Sequence, residues 1–142
     1  MTLNAKKEGI DQLFLEDPLL FSKLLLEGRI KQHQNALEEP HEIVFLDRGI
    51  PDVLAYMHYI GDDFPSYFDE ACKTHLYSKI FILPPWEEIY LSDEERYENF
   101  EQANLIYHFL KDTYESYGYE LIEVPKNTLD NRILFILDNI YQ

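Results

Sequence analysis

Cysteine is nearly absent from this sequence: Cys72 stands alone among 142 residues, so no disulfide forms within the chain and no zinc site is built on several thiolates. A lone thiol fits a reducing compartment, and the cytoplasm is the expected one. Long apolar runs are missing too. No stretch approaches the ~20 continuous apolar residues of a spanning helix, and the opening residues MTLNAKKEGIDQ have no apolar core of the kind a secretory signal needs. A membrane is therefore not an expected partner. Basic residues are scarce, 12 against 27 acidic ones, and the formal charge of -15 repels phosphate backbones and anionic lipid on average. Nucleic acid is excluded as an expected partner. A nucleotide is not, because a few arginines, backbone amides and a magnesium ion can overcome a negative global field locally.

What is present suffices for one compact domain spanning 1–142, with 46% hydrophobic and 15% aromatic residues. No internal repeat or low-complexity tract interrupts it. Asp17-Pro18 reads as a helix start, since Asp accepts from free first-turn amides and Pro tolerates the first helical position. The helix is expected to reach Glu39, before Pro40, with Leu20, Leu24, Ile30 and Leu37 as its apolar stripe, widened by Phe21 and Leu25. Ile43 to Leu46 then forms a continuous apolar run, as in a strand covered on both faces of a parallel sheet. After Asp47-Arg48-Gly49, Pro51 opens a helix that Gly61 closes near Ile60. A short helix follows over Pro65 to His75, and "YSKIFILPP" gives a buried strand at Lys79 to Leu83, ended by prolines. Ser92 with Glu95 makes a capping box for a helix reaching Tyr117. "YELIEVP" is a third strand, and Thr128 to Tyr141 a terminal helix burying Ile133, Phe135, Ile136, Leu137 and Ile140. Strands alternating with helices predict an α/β layered fold with parallel strands and right-handed crossovers. Ligands in such folds bind beyond the carboxyl ends of the strands.

Asp47 and Arg48 are expected at that edge. An aspartate there can hold magnesium, directly or through water, while the adjacent guanidinium contacts phosphate oxygens as a rigid fork. Together they would neutralise the charge that builds up in phosphoryl transfer. The plainer alternatives are an Asp-Arg ion pair capping the strand, or a polar turn. Arg96, in "SDEERYENF", has as its plainer alternative an exposed helix arginine paired with a neighbouring acid. Trp86 lines a ligand pocket or covers a strand end. The five histidines have no metal-ligand spacing, and the tyrosines at 56, 59, 107, 114 and 117 suit packing rather than base stacking.

Taken together, "FLDRGIPDVLAY", "KIFILPPWEEIY", "DEERYENFEQA" and "YGYELIEVP" resemble, in order and at compatible spacing, the predicted P-loop ATPases related to the kinase domain that phosphorylates nicotinamide riboside. The resemblance runs from about Asp17 to the C-terminus. It implies a three-layer parallel sheet with flanking helices, and ATP and magnesium as ligands. Asp47 would end the Walker B strand, near magnesium and, in a kinase, near the acceptor hydroxyl. Arg48 would contact phosphate or acceptor, Asp52 would shape the acceptor side, and Arg96 would be a lid arginine closing over the phosphates. The family's phosphate loop, G-x-x-x-x-G-K-[ST], is not found: none of the five glycines is followed by lysine and a hydroxyl residue. The chain is accordingly expected to lack the family's N-terminal βαβ unit and, by itself, to bind ATP weakly or not at all. A homodimer that covers exposed sheet edges is one expected solution. The alternative function is a non-catalytic acidic interaction module on the same scaffold, indifferent to ATP.

Overall fold

The computed structural model describes residues 17–86 and 100–141, which fall into two compact units that meet in sequence between Leu76 and Tyr77. The first unit contains α1 (Pro18–Glu38), α2 (Ile50–Ile60) and α3 (Ser66–Thr74). The second contains β1 (Ile80–Ile82), α4 (Phe100–Ser116), β2 (Leu121–Glu123) and α5 (Leu129–Ile140).

Local chemistry sets the ends of these helices. Asp17 caps α1, its Oδ1 accepting from the Leu20 amide at 3.1 Å, and Thr128 caps α5, its Oγ1 accepting from the Asn131 amide at 3.2 Å. Gly61 ends α2 at φ 75, a left-handed conformation that costs glycine nothing sterically. There its amide and that of Asp62 donate back to the His58 and Met57 carbonyls, each at 3.1 Å.

Helix α2 is the centre of the first unit. Ile50, Pro51, Val53, Leu54, Ala55 and Met57 are all buried, as expected of a helix apolar nearly all round. It packs against α1 on one side and α3 on the other, where Phe68, Ala71 and Cys72 complete the core. The face that α1 turns inward differs from the expected one. Leu20, Leu24 and Leu37 are exposed, and the buried residues are Ser22, Leu26 and His33. Leucines occupy several faces of this helix, so apolar spacing alone does not choose one. The chosen face carries two polar groups that find internal partners: the Ser22 hydroxyl donates to Met57 Sδ at 3.0 Å and His33 Nε2 donates to the Leu76 carbonyl at 2.8 Å.

The apolar run at 43–46 is a second correction. It has no regular secondary structure, and Val44 and Phe45 are 39% and 63% exposed, so it is neither a strand nor buried. An apolar run becomes a strand only where another backbone satisfies its amides and carbonyls. Among the described residues no ladder includes it.

In the second unit β1 and β2 pair in parallel, Ile80 opposite Leu121 and Ile82 opposite Glu123, and the Val124 amide extends the ladder to the Ile82 carbonyl at 2.9 Å. A parallel pair needs a long crossover between its strands, which here includes α4, packed on β2. Helices with a small parallel sheet make this an α/β arrangement. The expected buried side of α5 is not realised. None of its residues is buried, and Ile133 and Leu137 are exposed. The capping box at Ser92 and Glu95 lies outside the described residues.

Candidate functional site

The chain between 43–46 and α2 turns sharply at Asp47-Arg48-Gly49. Arg48 has φ 68, and among the described residues it is the sole non-glycine residue with positive φ. For an L-residue this region brings Cβ against the following carbonyl, at a cost of roughly 1–2 kcal/mol. Gly49 then returns to extended backbone, φ -132 and ψ -178, and caps α2.

Both polar groups of Gly49 are engaged. Its amide donates to Asp52 Oδ1 at 2.9 Å, and its carbonyl accepts from the Asp52 amide at 3.3 Å and from Arg29 Nη1 at 2.9 Å. Asp52 is thus the first-turn acid of α2, reciprocally bonded to the cap and favoured there by the helix dipole. Asp47 and Arg48 are both exposed, and no hydrogen bond or ion pair joins either side chain to another described residue. Of the two plainer alternatives, the geometry is the polar turn and not the ion pair. The turn follows an irregular segment instead of a strand.

Arg29 was not legible as a functional residue. It sits inside α1, twenty residues from Gly49, with no motif around it. The one signal was scarcity, since the chain has four arginines and two of them meet at this turn. In a chain of charge -15 that convergence concentrates positive charge where an anion would need it.

For a cation the donor set is sparse. Among the described residues no three His, Cys, Asp or Glu side chains group to hold a metal. Asp47 alone fits a magnesium ion that keeps its waters and takes its other ligands from phosphate, the common arrangement for that ion. An open groove of about 340 Å³ runs beside the turn, between Gly28, Lys31, Gln32 and Asn35 of α1 and the Val44 and Leu46 side of the preceding segment.

Of the remaining expected residues, Trp86 is half-buried, just past Pro84 and Pro85 in the second unit. Arg96 lies outside the described residues. The structure therefore brings together Asp47, Arg48 and Asp52 and adds Arg29. At the carboxyl end of β2, Glu123 accepts a hydrogen bond from the buried Tyr107 phenol, with Lys111 Nζ 4.0 Å from the same carboxylate oxygen. Burial, and then the Glu123 carboxylate, push the Tyr107 phenol well above its usual range.

A family model described as an AAA domain matches residues 1–132. No curated protein and no solved structure matches the chain. Because the matched span takes in the Asp47-Arg48 turn and all the described helices and strands as far as α5, the chain belongs to the AAA-domain family of P-loop ATPase-like proteins.

Proposed function

We propose that this chain is a nucleotide-binding protein of the P-loop ATPase or small-molecule kinase type, with the Asp47-Arg48 turn as the phosphate side of its site. The observation that carries the reading is Arg48, held at φ 68 beside Asp47. Strained backbone persists only where the surrounding structure over-determines it, and such residues cluster at functional sites. In this reading Asp47 holds the magnesium of a magnesium nucleotide and, where an acceptor alcohol is bound, takes its proton. Arg48 forks onto phosphate oxygens. Asp52 keeps the turn in register with α2 and borders the acceptor. By the family resemblance alone, Arg96 takes the role of a lid arginine and Trp86 that of a ligand-pocket residue. The scaffold in this reading is a three-layer parallel sheet with flanking helices in one domain, a reading supported by the parallel β1-β2 pair. The cytoplasm is the assigned compartment, supported by the single buried thiol.

The sequence has no G-x-x-x-x-G-K-[ST] string, so the amide cradle and lysine that supply the largest fixed positive field are not available from this chain. This chain by itself is expected to bind magnesium ATP only at millimolar levels and to show no turnover. Calorimetry with the full chain tests this. Micromolar, magnesium-dependent ATP binding abolished by Asp47→Ala would overturn the weak affinity.

An interaction module on the same scaffold is the second reading. It is favoured by the apolar side chains that α5 leaves exposed, Leu129 and Leu134 among them. A homodimer is its simplest form, and a monomer in light scattering would remove its support.

A further inference from the structure

We infer that Arg29 is a positioning residue, which holds the Asp47-Arg48 turn in its left-handed form from the neighbouring helix. The functional meaning of this rests on the nucleotide reading above, but the geometry does not. Gly49 is the residue through which Arg48 is constrained. The peptide on its amide side is fixed by the 2.9 Å bond from Gly49 N to Asp52 Oδ1. The peptide on its carbonyl side is fixed by the 2.9 Å bond from Arg29 Nη1. For Arg48 to relax to an ordinary negative φ, the chain has to turn about its N–Cα bond, which swings the 43–47 side against the Gly49 side. Arg29 ties the Gly49 side to α1, and Val44 and Leu46 on the other side face the same helix across the groove, so the relaxed form draws one side of the turn away from α1.

The two anchors are not equivalent. The Asp52 bond spans three residues and is the usual reward for starting a helix, so it forms with α2 whatever precedes it. The Arg29 bond spans twenty residues and forms only once α1 has packed on α2. It therefore links the tertiary fold to the conformation of Arg48. A charged donor also binds a carbonyl more strongly than a neutral one. The segment on the other side of the turn, 43–46, offers no ladder to hold it. Arg29 also brings its positive charge to the residue next to Arg48, so loss of its head group changes both the shape and the field of the site.

The test is solution NMR on the full chain. A residue with positive φ gives a strong intraresidue cross-peak between its amide and Cα protons, and Arg48 is expected to show one. In Arg29→Met, which keeps the apolar stem and removes the donor, that cross-peak should fall to ordinary strength while the helical circular dichroism is retained. Titration with manganese ATP, in the wild type, should broaden the Asp47 and Arg48 amides, and in Arg29→Met the broadening should be lost. A strong Arg48 cross-peak that survives Arg29→Met overturns the inference. Loss of the cross-peak in the variant, with no manganese ATP broadening in the wild type, upholds Arg29 as the holder of the turn and overturns the nucleotide reading. If Arg29→Met does not fold, the wild type still decides. Slowed guanidinium rotation at Arg29, seen as separate Nη proton signals, supports the inference, and a single averaged signal overturns it.

Discussion

The strain at Arg48 makes a sign-reversal experiment available. At most positions glycine is less stable than alanine by roughly 0.5–1 kcal/mol, because its unfolded backbone has more freedom to lose. At φ 68 the balance changes. Alanine, like arginine, carries a steric cost of roughly 1–2 kcal/mol there, and glycine carries none. Set against glycine's entropic handicap, Arg48→Gly should be more stable than Arg48→Ala by about 0.5–1 kcal/mol. Arg48→Ala itself should lie close to wild type, since both side chains pay the same backbone cost and the Arg48 side chain bonds no other described residue. Urea unfolding followed by circular dichroism reads this directly. With a denaturant slope of about 2 kcal/mol per molar, the glycine midpoint should exceed the alanine midpoint by about 0.4 M. The control is Gln34, exposed within α1, where glycine should be worse than alanine by about 1 kcal/mol. If alanine is the more stable of the pair at both positions, Arg48 is not left-handed in solution, and the reasoning that makes its turn a site fails with it.

Two further outcomes test the packing and the electrostatics. Leu26→Ala, at a residue 1% exposed, should cost about 2–5 kcal/mol in thermal or urea unfolding, whereas Leu20→Ala, at 42% exposure, should cost well under 2 kcal/mol; equal losses would mean that the inward face of α1 is the leucine stripe after all. The folded state holds the Tyr107 phenol proton above the usual 10.0, so the stability gained from it is complete below that pH and is lost as pH rises toward the higher folded value. Wild type and Tyr107→Phe should therefore draw closer in urea midpoint between about pH 8 and about pH 10.5, and a constant gap would refute the phenol's role.

Features that arise from chemistry within a few residues were readable in the sequence. Asp17, Gly61 and Thr128 mark helix ends because each bonds, or frees, a backbone group on its own turn. The strands at β1 and β2 were readable because apolar runs bounded by Pro84 and Pro125 leave few alternatives, and each strand has the other as a partner. The run at 43–46 has the same composition and no ladder among the described residues. Its composition states a capacity for pairing, but only a neighbouring backbone realises it. The inward face of α1 was hidden for a related reason: Ser22 and His33 look like surface residues until Met57 and Leu76 are seen to accept their hydrogen bonds. At the site, Asp47, Arg48 and Asp52 stood out as a motif. Arg29 did not, because its partner among the described residues is the backbone carbonyl that caps another helix.

The bond between His33 and the Leu76 carbonyl joins residues 43 apart, so the whole of α2 and α3 is enclosed in a ring that this bond, with the edge-on contact of the His33 and His75 rings, helps to shut. The short link between those helices, 61–65, sits inside the ring, where Phe64 stacks on Phe68 with ring centroids 5.4 Å apart. A protease nick in that link would leave both fragments gripped, one through the core of α1 and α2 and the other through the imidazole clasp. The first unit is thus a buckled strap whose two buckled points lie far apart in sequence.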